Sequence, residues 1–179
     1  ESEIVNEYVK EKYELFDQDA ELSVKERGDG NLNYVCRVQD EKTGRSVILK
    51  HAGVETRARS GRHVDTDRNR IESEILMLQD KYASGYVPKI YGYDPVMCCM
   101  AMEDMKNYEV MRGALLKYER YPFFADQITT YMVNILLATT DVVMDHNEKK
   151  KLVKSSINPD LCDITAQLVY SDSLGYFAG

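Results

Sequence analysis

Two short runs constrain this chain more than anything else in it: Gly28-Asp29-Gly30-Asn31-Leu32-Asn33-Tyr34-Val35, and Val47-Ile48-Leu49-Lys50. Between them lies Asp40-Glu41-Lys42-Thr43-Gly44, a polar five-residue stretch ending in glycine, which reads as a hairpin turn. The pair therefore folds as two antiparallel strands, with a glycine turn opening the first and a lysine closing the second. Glycines let a backbone come close to phosphate oxygens, and an ammonium group at the strand end neutralises them. Taken alone, Gly28-Asp29-Gly30 is also what any tight turn supplies, and a lysine ending a strand is normally solvated.

The surrounding periodicity supplies the context. Residues 2–16 carry Ile4, Val5, Tyr8, Val9 and Leu15-Phe16 at helical spacing. Residues 21–27 alternate and predict an edge strand, followed by strands over 33–39 and 45–51. A polar loop with Arg57, Arg59, Ser60, Gly61 and Arg62 comes next. The pattern then turns helical over 67–82, with Ile71, Ile75, Leu76 and Leu78 on one side and Thr66 or Asp67 as N-cap. Strands are predicted over 89–93 and 96–102. Glu103-Asp104-Met105-Lys106-Asn107 breaks the apolar run, and the remainder of the chain reads as helix. Ile128, Met132, Ile135, Leu136, Thr139 and Val142-Val143 form one apolar stripe over 124–144, and Asn158-Pro159-Asp160 opens a further helix with proline in its first turn.

This order makes the constellation specific. A glycine turn, a strand, a hairpin, a strand ending in Lys50 and a helix with Glu72 and Glu74 can hold a nucleotide together. One helix glutamate pairs with the lysine and steadies it against the α and β phosphates. Glu72 and Glu74 lie two apart and face different directions, so one of them does this and Glu72 is assigned to it. Met102-Glu103-Asp104-Met105 suits a hinge whose backbone reads an adenine edge, although by itself it is also a plain polar linker. His63-Val64-Asp65 has the spacing of a phosphotransferase catalytic loop but sits between the lysine strand and the helix, where it cannot reach an acceptor hydroxyl. His51 and His146 lack partners at metal or acid–base spacing.

Composition excludes other classes. A net charge of −7 and a pI near 5.1 lack the cationic footprint of a nucleic-acid or anionic-membrane binder. No apolar run approaches the roughly 18 residues of a membrane span, and no signal peptide opens the chain. Cys36, Cys98, Cys99 and Cys162 have no C-x-x-C spacing and read as reduced thiols, with Cys98 and Cys99 on opposite faces of a strand, pointing to a cytoplasmic protein.

The motif set resembles the 5-methylthioribose kinase family. The matching segments are Gly28 to Val35, Ile48-Leu49-Lys50, Asp67-Arg68 with Arg70-Ile71-Glu72, and Met102-Glu103-Asp104. Glu148-Lys149-Lys150 followed by Asn158-Pro159-Asp160-Leu161-Cys162-Asp163-Ile164-Thr165 matches too. The resemblance runs from about residue 24 to 173. It implies an α+β, protein-kinase-like fold: an antiparallel β small lobe with a helix over 1–102, a hinge over 103–108, and over 109–179 the first helices of a truncated helical large lobe. It also implies ATP and Mg²⁺ as cofactors, phosphorylation of a small sugar in methionine salvage, and a homodimer. Gly30, Asn31 and Lys50 would contact the phosphates, and Glu103, Asp104 and Met105 would hold the adenine. The catalytic Asp is expected C-terminal to this chain, so no catalytic or metal-binding residue is assigned within it, and turnover by these 179 residues alone is not expected. The chain departs from the family in having no tryptophan, with the arginine-rich loop standing where a tryptophan motif is expected. A non-catalytic binding or regulatory module on the same scaffold remains an alternative. So does a sibling kinase acting on choline, an aminoglycoside or homoserine, against which the block from Asn158 to Thr165 argues.

Overall fold

The computed structural model describes residues 2–27, 32–54 and 64–172. The glycine turn at 28–31, with Gly30 and Asn31, and the arginine-rich loop through His63 lie outside the described residues.

Helix α1 (Ser2–Tyr13) leads into strands β1 (Leu22–Glu26), β2 (Tyr34–Asp40) and β3 (Ser46–His51). Helix α2 (Arg68–Tyr82) comes next, then β4 (Ile90–Asp94) and β5 (Cys99–Glu103). The strands form one antiparallel sheet in the order β1-β2-β3-β5-β4, so the described part is α+β. After the sheet come helices α3 (Met111–Leu116), α4 (Phe124–Ala138), α5 (His146–Ser155) and α6 (Pro159–Ala166), then a π-helical segment over Gln167–Asp172.

The β2–β3 turn shows why this sequence makes a hairpin. The Asp40 carboxylate accepts from the Lys42 N–H at 3.0 Å and the Thr43 hydroxyl at 2.5 Å, and Gly44 takes φ +70°, where a side chain would be strained. Alternation then divides the sheet. Val38, Val47, Leu49, Cys99 and Ala101 face α1 and bury Val9 and Phe16 against them. The opposite face carries Val35, Lys50 and Met100 in one register row and Arg37, Ile48 and Met102 in the next. Tyr8 of α1 donates to Asp94 at 3.0 Å and Tyr13 donates to the Cys99 carbonyl at 3.0 Å, fastening the helix at that end of the sheet.

Several expected boundaries move, each for a local reason. Helix α1 stops at Tyr13, because Glu14 adopts φ +48° and turns the chain so that Phe16 enters the core. Cys98 is not in a strand; it sits at φ +45° in the β4–β5 turn, and only Cys99 belongs to β5, where burial pushes its thiol up to about 12. Asp67 makes no side-chain cap to α2; instead its own N–H donates to the Asp65 carboxylate. Helix α4 ends at Ala138, so Val142 and Val143 are not part of it. The Thr139 and Thr140 hydroxyls donate back to the Ile135 and Leu137 carbonyls, both at 2.8 Å, satisfying them without another helical turn. Residues 117–123 and 139–145 are likewise not helical.

The docking of α2 departs from the apolar-stripe expectation. Its buried residues are Arg68, Asn69 and Ser73, whereas Ile71, Ile75 and Leu78 are half-buried. The Asn69 amide donates to the Lys50 carbonyl at 2.7 Å and the Cys98 carbonyl at 2.8 Å. It thus ties α2 to two backbone carbonyls, one within β3 and one in the β4–β5 turn.

Candidate active site

Strand β3 and helix α2 deliver the central pair. Lys50 Nζ lies 2.5 Å and 2.6 Å from the two carboxylate oxygens of Glu72. Glu74, two residues on, points elsewhere and binds Arg70 at 2.7 Å, with Arg70 also gripped by Asp67 at 2.6 Å. The Lys50–Glu72 pair is partly exposed and opens into a cleft of about 550 Å³, whose wall includes Leu32, Asn33, Val35, Ile71, Asn158 and Leu161. A neutralised ammonium at the edge of such a cleft keeps spare N–H capacity for an incoming anion.

Arg68 forms the inner corner. It is 5% exposed and donates all its hydrogen bonds to neutral acceptors. Nε reaches Asn33 Oδ1 at 2.9 Å, Nη1 the Val64 and Asp65 carbonyls at 3.0 and 2.9 Å, and Nη2 the Leu32 and Gly53 carbonyls at 3.0 and 2.9 Å. Burial holds its pKa below the ordinary arginine value. Sequence reasoning placed Arg68 within a motif and gave it no role. Its signal was an arginine in the first turn of a helix, a place that normally favours acidic residues.

The cleft is joined from the far side by the corner between α5 and α6. Asn158 caps α6 by accepting the Leu161 N–H at 3.2 Å, with Pro159 in the first turn as expected. Asp160 accepts the Asp65 N–H at 3.0 Å, and Arg70 donates to the Ser155 carbonyl at 2.8 Å. The block from Asn158 therefore meets the lysine–glutamate region in space, although about a hundred residues separate them in the chain.

At the other end of the sheet, Glu103 closes β5 opposite Val47. Its N–H bonds the Lys89 carbonyl at 2.8 Å and its carboxylate accepts the Lys89 N–H at 3.1 Å. The Asp104 side chain is 3% exposed and faces back into the sheet. It receives Arg37 Nη2 at 2.7 Å on Oδ1, while Arg37 Nε and the Ser46 hydroxyl each lie 2.6 Å from Oδ2. The Asp104 carboxylate is thus fully engaged, and only its backbone faces outward chemistry. The Met105 carbonyl accepts the Tyr108 N–H at 2.9 Å, while the Met105 N–H finds no acceptor among the described residues.

Burial opposes the charged form of Asp104, but the Arg37 and Ser46 hydrogen bonds outweigh it and hold its pKa below the usual carboxylate range. A carboxylate depressed below its unfolded value of about 3.9 contributes stability that is complete above that pH and is lost as pH falls through the folded pKa. Wild-type protein should therefore lose stability on acidification below about pH 4, and Asp104→Asn should flatten that part of the curve. Urea melts at stepped pH check this; parallel curves for the two proteins would refute it.

Among the described residues no group of three or more His, Cys, Asp or Glu side chains is arranged to hold a metal ion, and no helix is long and apolar enough to cross a membrane. His146 lies exposed on α5, 3.7 Å from Asp141.

No protein-family model matches the chain. Individual proteins do. A methylthioribose kinase of Bacillus pumilus (strain SAFR-032) is 36% identical over 159 residues, covering 88% of this chain and 40% of that protein. The methylthioribose kinases of Bacillus thuringiensis (strain Al Hakam) and Bacillus cereus (strain 03BB102) are each 33% identical over 172 residues, covering 96% of this chain and 43% of theirs. The chain spans about two-fifths of the length of these relatives. At that coverage the similarity takes in the lysine strand, α2, the β5 end and the α5–α6 corner alike, and the chain belongs to the methylthioribose kinase family.

Proposed function

We propose that this chain is the nucleotide-holding part of an ATP-dependent kinase that phosphorylates 5-methylthioribose, on a protein-kinase-like scaffold. In this reading residues 1–102 form the small lobe, 103–108 the hinge and 109–179 the first helices of the large lobe. The observation that supports it most directly is Lys50, gripped by both oxygens of Glu72 at the cleft, on the strand paired with β5 up to Glu103, where the hinge segment begins.

The spacing fits one nucleotide. Val47 stands opposite Glu103, and Lys50 lies three residues further along β3, roughly 10 Å at strand rise. A base at the hinge and phosphates at the lysine are thereby reached together. Ile48 and Met102 share the Lys50 face, opposite one another in register, and offer the base an apolar floor. The Met105 N–H, without an acceptor among the described residues, suits the N1 acceptor of adenine. Lys50 neutralises the phosphates while Glu72 fixes its direction. The family motif gives Gly30 and Asn31 the phosphate cover. ATP bound with magnesium supplies the transferable phosphoryl group.

Helix α4 carries Met132, Val133, Leu136 and Leu137 about half exposed. Such a face seeks cover, and supports the homodimer that the family resemblance implies. Sedimentation at two concentrations reads this directly: a monomer at both would overturn it.

Calorimetric titration of the chain with ATP and magnesium tests the central reading. Saturable heat is expected. Absence of binding at millimolar ATP would overturn it.

A further inference from the structure

Beneath the hinge lies an ion pair that nucleotide contact does not use. We propose that Arg37 and Asp104 form a lock that presets the hinge backbone for adenine, making Arg37 a positioning residue for base selectivity. The inference rests on the nucleotide reading above and concerns two side chains that face away from the nucleotide, while the Asp104 backbone stays in the hinge that holds the base.

The geometry is a staple between the hinge and the β2–β3 hairpin. Both Asp104 oxygens are occupied: Oδ1 accepts Arg37 Nη2 from β2, and Oδ2 accepts the Ser46 hydroxyl from β3, with Arg37 Nε close by but not hydrogen-bonded. Two residues on, Lys106 Nζ donates to the Gly44 carbonyl of the hairpin turn at 2.7 Å. On the other side Glu103 is bonded to Lys89 through backbone and side chain. Met105 lies between these anchors, and its N–H is left without an acceptor among the described residues. A guanidinium N–H and a hydroxyl held on the two separate oxygens of one buried carboxylate fix direction as well as distance, which a lone point charge does not.

Direction matters for selectivity. Adenine presents an acceptor at N1, which a fixed N–H matches; guanine presents a donor at N1, which it opposes. A hinge free to rotate its peptide groups would lose this distinction. If the competent orientation falls to about one-tenth of the population without Arg37, ATP affinity falls about tenfold in proportion.

The test compares wild type, Arg37→Met, Arg37→Lys and Ser46→Ala by calorimetry with ATP, GTP and inorganic tripolyphosphate, each with magnesium. Lys42→Met, at an exposed pair with Glu21, is the surface control. Arg37→Met should raise the ATP Kd about tenfold and shrink the ATP-to-GTP preference by a similar factor. Tripolyphosphate binding, which engages only the lysine end, should stay unchanged. Arg37→Lys should fall between, since it keeps the charge and loses the planar guanidinium. In nucleotide-free protein, hydrogen exchange at the Glu103 and Tyr108 amides should quicken in Arg37→Met. If Arg37→Met fails to fold, Arg37→Lys and Ser46→Ala still report on the same carboxylate. Equal losses for ATP and tripolyphosphate, or an unchanged ATP-to-GTP ratio with unchanged exchange, would overturn the lock while leaving the nucleotide reading intact. Failure of wild type to bind ATP would overturn that reading instead, and the selectivity role with it.

Discussion

Arg68→Met is expected to cost about 3–5 kcal/mol of folding stability, among the largest losses open to a single substitution here. The guanidinium is buried and ties together three separate segments, at 32–33, 53 and 64–65. Its acceptors are four backbone carbonyls and one side-chain amide oxygen, with no carboxylate among them. Removing the donors strands these acceptors out of water, at roughly 1–3 kcal/mol for each that stays dry. Water entering the vacated space would recover part of that sum. Arg68→Lys keeps a charge but not the fork, and should lie between the two. Urea unfolding with slope analysis reads the effect. A loss within about 1 kcal/mol for Arg68→Met would show that these segments are held by other contacts.

Lys50→Ala is expected to weaken ATP binding by about 10- to 100-fold, the worth of roughly 1.5–3 kcal/mol for hydrogen bonds to a charged group. Stability should change little, because the pair it belongs to is partly exposed and surface-type pairs contribute modestly. Glu72→Gln should weaken binding less, since it leaves the ammonium in place and loosens only its direction. Glu74→Gln should have no effect on ATP, because Glu74 serves Arg70. The same calorimetry measures all of these. Equal affinities for wild type and Lys50→Ala would sink the role given to this lysine, and a Glu74 effect as large as that of Glu72 would show that the pairing is not what matters.

Much of the architecture was legible in the residues. The strand–strand–strand–helix–strand–strand order comes from period-two runs separated by polar turns, and Gly44 marked the hairpin because a positive φ there needs glycine. Proline after Asn158 marked the start of α6. Helix ends were less legible. The apolar stripe ran on to Val143, while α4 stopped at Ala138 because threonine hydroxyls took the terminal carbonyls, a competition that hydrophobic spacing does not register. The turn at Cys98 was hidden for a related reason: Val96-Met97-Cys98 is as apolar as a strand, and only the backbone at φ +45° excludes it.

The candidate site divides in the same way. Lysine at a strand end, glutamates on the next helix and a polar break after β5 are patterns of residue type and spacing, so Lys50, Glu72 and the segment from Glu103 to Met105 could be named from the sequence. What the chain order could not carry was pairing across distance. The contact of Lys50 with Glu72 is made by the way α2 sits on the sheet, where Asn69 and Arg68 hold it, polar residues in a helix whose apolar stripe drew attention to its other side. Arg37 and Asp104 are 67 residues apart and look like ordinary surface charges until the register of β2, β3 and β5 stacks them. Local preferences are written residue by residue and can be read that way. Buried charge pairs depend on which strands become neighbours, which is decided only when the whole sheet closes on its helices.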